Sequence, residues 1–181
     1  MARSTRLPAL RTGLAGLALA AAGLAGWQQL SAQALGSFNS NAPVDFDAAK
    51  IELQDKANRV VLTGDVVIKQ GDLTLRAART TVAYTNTGSL QIQRLDAVGN
   101  VLVTRGNEAA RGSAAVYDFN KRVIVMSGAV TLTRGGDTLN GGRLVIDLKT
   151  GLSSVDGRGG AVGDAKGGRV TGTFSVPKNS T

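Results

Sequence analysis

Apolar and polar residues alternate with a period of two along much of this chain, and the alternation recurs in three segments that align without gaps. The first is Gly64-Asp-Val-Val-Ile-Lys-Gln-Gly71. The second is Gly99-Asn-Val-Leu-Val-Thr-Arg-Gly106, and the third is Gly128-Ala-Val-Thr-Leu-Thr-Arg-Gly135. In each, two glycines sit seven apart, with aliphatic residues at the second and fourth positions after the first glycine. Successive side chains of a β-strand point to opposite faces. Val66 and Ile68 therefore share a face, as do Val101 and Val103, and Val130 and Leu132. Thr131 and Thr133 mark the wet face of the third copy. A third small residue follows the second glycine by six positions: Ala77, Gly112 and Gly141. A second apolar stretch then continues the columns with Val82 and Tyr84, Tyr117 and Phe119, and Ile146 and Leu148. Each unit closes on turn-forming residues: Thr85-Asn-Thr-Gly88, Asn120-Lys121 and Lys149-Thr-Gly151.

Short alternating strands punctuated by glycine predict an all-β fold. The copies start 35 and then 29 residues apart. A strict solenoid would keep its period, so the expected architecture is stacked antiparallel strand pairs with unequal loops, in a roll or open sandwich. Only Asp47 to Ile51 hints at a helical face, and it is too short. Gly157 to Gly168 predicts a glycine-rich turn, and Arg169 to Val176 a last strand stopped by Pro177.

The first 34 residues have a different character. Arg3, Arg6 and Arg11 precede an uncharged apolar run from Leu14 to Gly26, and Ala32-Gln33-Ala34 offers a small-x-small cleavage site. This is the order of a secretory signal, and the run is short for a spanning helix, which needs about 20 apolar residues. Residues 1–34 are therefore expected to be removed after Ala34, leaving one domain, 35–181, in the periplasm. Removing three of 21 basic residues and none of 13 acidic ones leaves 18 against 13, a net charge of +5. The charges are interspersed, which suits anionic partners without specifying one. Export and an aromatic content of 4% argue against nucleic acid, whose binding relies on stacking. The chain has no Cys and no His, which removes disulfides, thiol nucleophiles, Cys/His zinc sites and the commonest general base. No catalytic residue, metal or cofactor is expected.

The Gly-x-Val-x-Ile/Val/Leu-x-x-Gly copies resemble the organic-solvent-tolerance (OstA-like) domain. Pro43-Val-Asp-Phe-Asp47 resembles the first strand of the periplasmic lipopolysaccharide-export bridge proteins, the LptA family. Val116-Tyr-Asp-Phe119 resembles their central strand, and Arg169-Val-Thr-Gly-Thr-Phe-Ser-Val-Pro177 their closing strand. The resemblance covers roughly residues 40 to 178. It implies an open β-jellyroll whose apolar inside holds the acyl chains of lipopolysaccharide. It also implies head-to-tail stacking of copies between an inner-membrane export complex and an outer-membrane assembly protein, joined through edge strands. The segment between Gly106 and Gly112 is polar and small, and the tail after Pro177 is short, both departures from the family.

The lipid-lining candidates are Val66, Ile68, Val101, Val103, Val130 and Leu132, whose ordinary role would be simple core packing. Val82 continues these columns. Tyr117 and Phe119, and Val44 and Phe46, alternate on strands that match lipid-lining strands of the family. Asp45 and Asp47 alternate with Val44 and Phe46, so they face solvent and do not form a glycosidase pair. Gly135-Gly-Asp-Thr-Leu-Asn-Gly-Gly142 faintly resembles a calcium-binding nonapeptide, but it occurs once and lacks regular Asp spacing. Arg76, Arg79, Arg105, Arg111, Arg134 and Arg143 lie near strand ends, where arginine can meet lipid phosphate; a solvated rim is the ordinary alternative for any one of them. A membrane-anchored subunit of the same machinery and a structural or adhesive exported β-repeat remain open as other classes.

Overall fold

The computed structural model describes residues 38–158 and 168–176. The signal segment, most of the glycine-rich turn and Pro177 lie outside them. Among the described residues ten strands form a single antiparallel sheet: β1 (Val44–Asp47), β2 (Lys50–Gln54), β3 (Arg59–Gln70), β4 (Leu73–Asn86), β5 (Leu90–Arg105), β6 (Glu108–Asp118), β7 (Val123–Arg134), β8 (Asp137–Asp147), β9 (Ser153–Asp156) and β10 (Thr171–Thr173). The long strands β3 to β8 pair in chain order, a meander with local contacts throughout. β1 and β2 share the β3 edge, and β9 and β10 share the β8 edge.

The second glycine of each copy makes a hairpin turn. Gly71, Gly106 and Gly135 have φ of +57°, +55° and +58°, the left-handed values that tight two-residue turns between twisted strands require. The first glycine does something else. At Gly64, Gly99 and Gly128 the backbone has φ of +85°, +85° and +82°, and the next residues Asp65, Asn100 and Ala129 are left-handed too. The strand register breaks there, between Thr63 and Val66, between Val98 and Val101, and between Ser127 and Val130. These are β-bulges, which bend a strand and sharpen its twist. Aligned from strand to strand, they form a fold line that doubles the sheet over itself. A small residue of the neighbouring chain segment sits against each corner: a Cβ built on Gly64 would lie 2.7 Å from the Cβ of Ala49, in the β1–β2 join, and one on Gly99 2.8 Å from the Cβ of Ala78 on β4. The result is an open β-jellyroll, with the core between the two halves of one sheet.

Several local expectations are corrected. Asp47 to Ile51 is the join between β1 and β2, and the one helical turn near it is a 3-10 turn at Asp55–Ala57. The expected last strand, Arg169 to Val176, is regular only over Thr171–Thr173, and β9 was not anticipated. The nonapeptide-like segment Gly135 to Gly142 is the β7–β8 hairpin with the first half of β8. Tyr84 is half-buried and lies outside the core cluster that holds Val82; the pairing of β4 with β5 slips beside it, and its phenol donates to Asp55 Oδ1 at 3.3 Å.

Candidate functional site

The inner face is built in columns that cross the strands. On one side of the fold line, Ile68, Leu75, Val103, Ala110, Leu132 and Leu139 are successive register partners from β3 to β8. Beside the corner, Val66 faces Ala77, Val101 faces Gly112, and Val130 faces Gly141. The small partners leave the valines room at the bend. On the other side, Val60, Val82, Leu95, Tyr117, Ile124 and Ile146 form one column. Leu62, Thr80, Ala97, Ala115, Met126 and Leu144 form the next. The two halves pack their columns together in one continuous apolar cluster.

Val66, Ile68, Val82, Val101, Val103, Tyr117, Val130 and Leu132 are all buried in this cluster, so the structure brings eight of the eleven candidates together. Val44 and Phe119 are half-buried and pack against it. Phe119 stacks on Tyr117 with ring centroids 3.9 Å apart. Phe46 stands apart: it pairs with Ile68 across the sheet but is 45% exposed, because β1 is the edge strand among the described residues. The interior is tightly filled. A cavity of about 20 Å³ lies among Leu73, Val103, Ala110, Leu132, Ile146 and Leu148, room for about one water. Anything larger entering here must part the two halves.

Polar groups gather at the hairpin-turn end of this face, the mouth of the roll. Gln70, Leu73, Arg105, Glu108, Arg134 and Asp137 form the terminal column. Gln70 is fully buried, and its Oε1 accepts a 2.9 Å hydrogen bond from the Tyr117 phenol on the opposite half. Burial pushes the Tyr117 pKa up to about 12, with nearby Arg122 working against the shift. The Arg105 side chain is only 10% exposed; its Nε donates to Asp72 Oδ2 at 2.7 Å, while Nη1 is buried without a hydrogen-bond partner among the described residues. Arg134 pairs with Glu108. Arg76, Arg79 and Arg111 are exposed, and Arg143 lies 3.9 Å from Asp156. Of the six arginines, two thus turn inward. The signal for them was present: Gln70, Arg105 and Arg134 each precede the second glycine of a copy, one more step along the inward parity of Ile68, Val103 and Leu132. Charge at those positions hid that parity.

Residues 45–152, more than half of the chain, match the model of the family described as LptA/(LptD N-terminal domain) LPS transport protein. An uncharacterized protein of Rhizobium meliloti (strain 1021) is 28% identical over 157 residues, spanning 83% of this chain and 84% of that protein. Among solved structures, the fold is similar to LptH of Pseudomonas aeruginosa, described as the LptA homologous periplasmic component of the conserved lipopolysaccharide transport device. The TM-score is 0.68 at 20% identity, over 77% of this chain and 100% of that one.

Proposed function

The chain belongs to the LptA and LptD N-terminal-domain family of lipopolysaccharide transport proteins, and on that premise we propose that it carries lipopolysaccharide through the periplasm by its acyl chains. Residues 1–34 would direct export and be cut after Ala34. Val66, Ile68, Val82, Val101, Val103, Tyr117, Phe119, Val130 and Leu132 would line the acyl-chain path, with Val44 and Phe46 continuing it to the edge. The observation that carries this reading is the continuous, largely aliphatic cluster, six strands wide, held in a sheet whose described edges do not close on each other. A passing chain needs a way in and out, and edges that do not close leave one, as a closed barrel would not.

The edges support a bridge. At one, Phe46, Ile51 and Leu53 are exposed; at the other, Val170, Phe174 and Val176 are. Unpaired strand edges with apolar side chains are templates for pairing. Joining the β8 edge of one copy to the β3 edge of the next would extend the sheet and its apolar face together. The contact is heterologous and does not close, so it gives chains of copies. The ends of such a chain would meet the inner-membrane export complex and the outer-membrane assembly protein. Mass spectrometry of lipid extracted from the purified periplasmic protein tests the cargo. Lipopolysaccharide is expected, and its absence from protein isolated under lipid-retaining conditions would refute the reading.

A further inference from the structure

Residues Phe38 to Ala42 lie against the β3–β5 part of the mouth of the roll. They form a compact turn, with Ser40 N–H donating to Phe38 O and Ala42 N–H to Asn39 O, each at 3.1 Å. Asn41 N–H donates to Asn39 Oδ1 at the same distance. Pro43 then fixes the backbone as it enters β1. The Phe38 ring packs on the core cluster, with the Arg105 guanidinium 5.5 Å from its centroid. The Gln70 amide donates to Ser40 O at 3.0 Å and to Ala42 O at 3.1 Å. From the opposite half, Arg122 Nη2 reaches Asn41 Oδ1 at 3.4 Å. The segment therefore touches both halves of the doubled sheet where they are also joined by the Tyr117–Gln70 hydrogen bond.

What the segment presents to the mouth is chemically specific. It offers one apolar group and two carbonyl oxygens, the oxygens meeting the amide donors of a buried Gln and the ring meeting an inward Arg. An acyl chain joined through an ester or amide offers the same set: hydrocarbon, and carbonyl oxygens where the chain is attached. Gln70 needs those acceptors. Gln70 is buried with the segment in place; once the segment departs, its two N–H donors turn to water or to an entering carbonyl, and a donor that hydrocarbon covered without such a carbonyl would be costly. Something must replace the carbonyls as they leave.

Resting on the acyl-lipid reading above, we propose that Gln70, Arg105 and Tyr117 form the entry subsite for the ester or amide linkage of an acyl chain, and that Phe38–Ala42 is a strap that occupies this subsite until lipid displaces it. The strap is an internal competitor. If it is closed nine-tenths of the time, the roll binds about tenfold more weakly than its open form would. It also keeps the apolar face dry between cargoes.

A disulfide lock tests this directly, because the chain has no cysteine of its own. A Cβ built on Gly71 lies 3.8 Å from the Ala42 Cβ, which matches the mean Cβ separation of about 3.8 Å in disulfides. In A42C/G71C the backbone strain of Cys at position 71 is the same in both redox forms, so oxidised and reduced protein are compared with each other. The probe is a fatty-acyl ester carrying a pyrene fluorophore, mixed by stopped flow with the purified periplasmic protein. Uptake should slow at least several-fold in the oxidised form and recover with dithiothreitol. Independently, Phe38→Ala should speed uptake several-fold without any bridge. Equal rates in both redox forms, or an unchanged rate in F38A, would overturn the strap while leaving lipid binding intact. If wild-type protein takes up no probe, the acyl-lipid reading falls, and the subsite with it.

Discussion

The corner at Gly99 allows a prediction whose size follows from the structure. Gly99 and Gly106 both have positive φ, +85° and +55°, in the same strand-turn unit. They differ in surroundings: a Cβ on Gly99 would meet the Ala78 Cβ at 2.8 Å, whereas a Cβ on Gly106 meets nothing within 4 Å. Alanine at either site bears the left-handed penalty, about 1–2 kcal/mol. At Gly99 it also overpacks a backbone-fixed methyl, which adds about 1–3 kcal/mol. G99A should therefore lose about 2–5 kcal/mol and G106A about 1–2, against a total stability of roughly 5–15 kcal/mol for a domain. Ala78→Gly removes the obstructing methyl and alone costs about 0.5–1 kcal/mol. The double variant G99A/A78G should be more stable than the sum of its parts, by about the overpacking energy. Urea unfolding midpoints at unchanged slope measure all four proteins. Equal losses in G99A and G106A, or strict additivity in the double variant, would refute the view that the roll is folded by glycine corners pressed on small neighbours.

Three further outcomes are expected. Val103→Asp places a charge in the buried face and should cost several kcal/mol or prevent folding, roughly 3 or more, while Leu102→Asp on the outer face should cost far less by thermal melting; equal effects would mean that the strand parity is wrong. The Tyr117 phenol ionises in the unfolded chain near pH 10 but in the fold only at about 12, so stability is independent of this group below about pH 10 and falls by about 1.4 kcal/mol per unit between about pH 10 and 12; Tyr117→Phe should remove that slope, and an unchanged difference from pH 8 to pH 11.5 would contradict the buried Tyr117–Gln70 contact. Deleting residues 170–181 removes β10 and the apolar residues after it, so the truncated protein should sediment as a monomer at concentrations where the full protein forms chains; monomers throughout for the full protein, or continued growth of the truncated one, would rule out edge pairing.

The strand parity was legible in the sequence because it is a local property. Val66, Ile68, Val101, Val103, Val130 and Leu132 alternate with polar or less buried neighbours, and all six are buried. The two glycines of each copy were equally visible, yet their different tasks were not. A hairpin glycine and a corner glycine look alike in sequence; what separates Gly99 from Gly106 is Ala78, a residue 21 positions upstream that reaches it through strand pairing. The inward arginines escaped notice for a related reason. Arg105 and Arg134 obey the parity of the valines before them, but charge normally signals solvent, and only the assembled mouth supplies Asp72 and Glu108. Edge position is also non-local: Phe46 has the right parity and lies exposed because β1 ends the sheet. The strap was invisible, since Phe38 to Ala42 has neither periodicity nor repeat.

The central claim is that acyl chains travel along the inner face. A photo-crosslinking side chain placed at Val103, inside, and at Leu102, outside, tests it most directly, because the two sites are adjacent in sequence and opposite in facing. After irradiation with bound lipopolysaccharide, a lipid-mass adduct is expected at Val103 and little or none at Leu102. Adducts of equal yield at both sites, or at Leu102 alone, would contradict it.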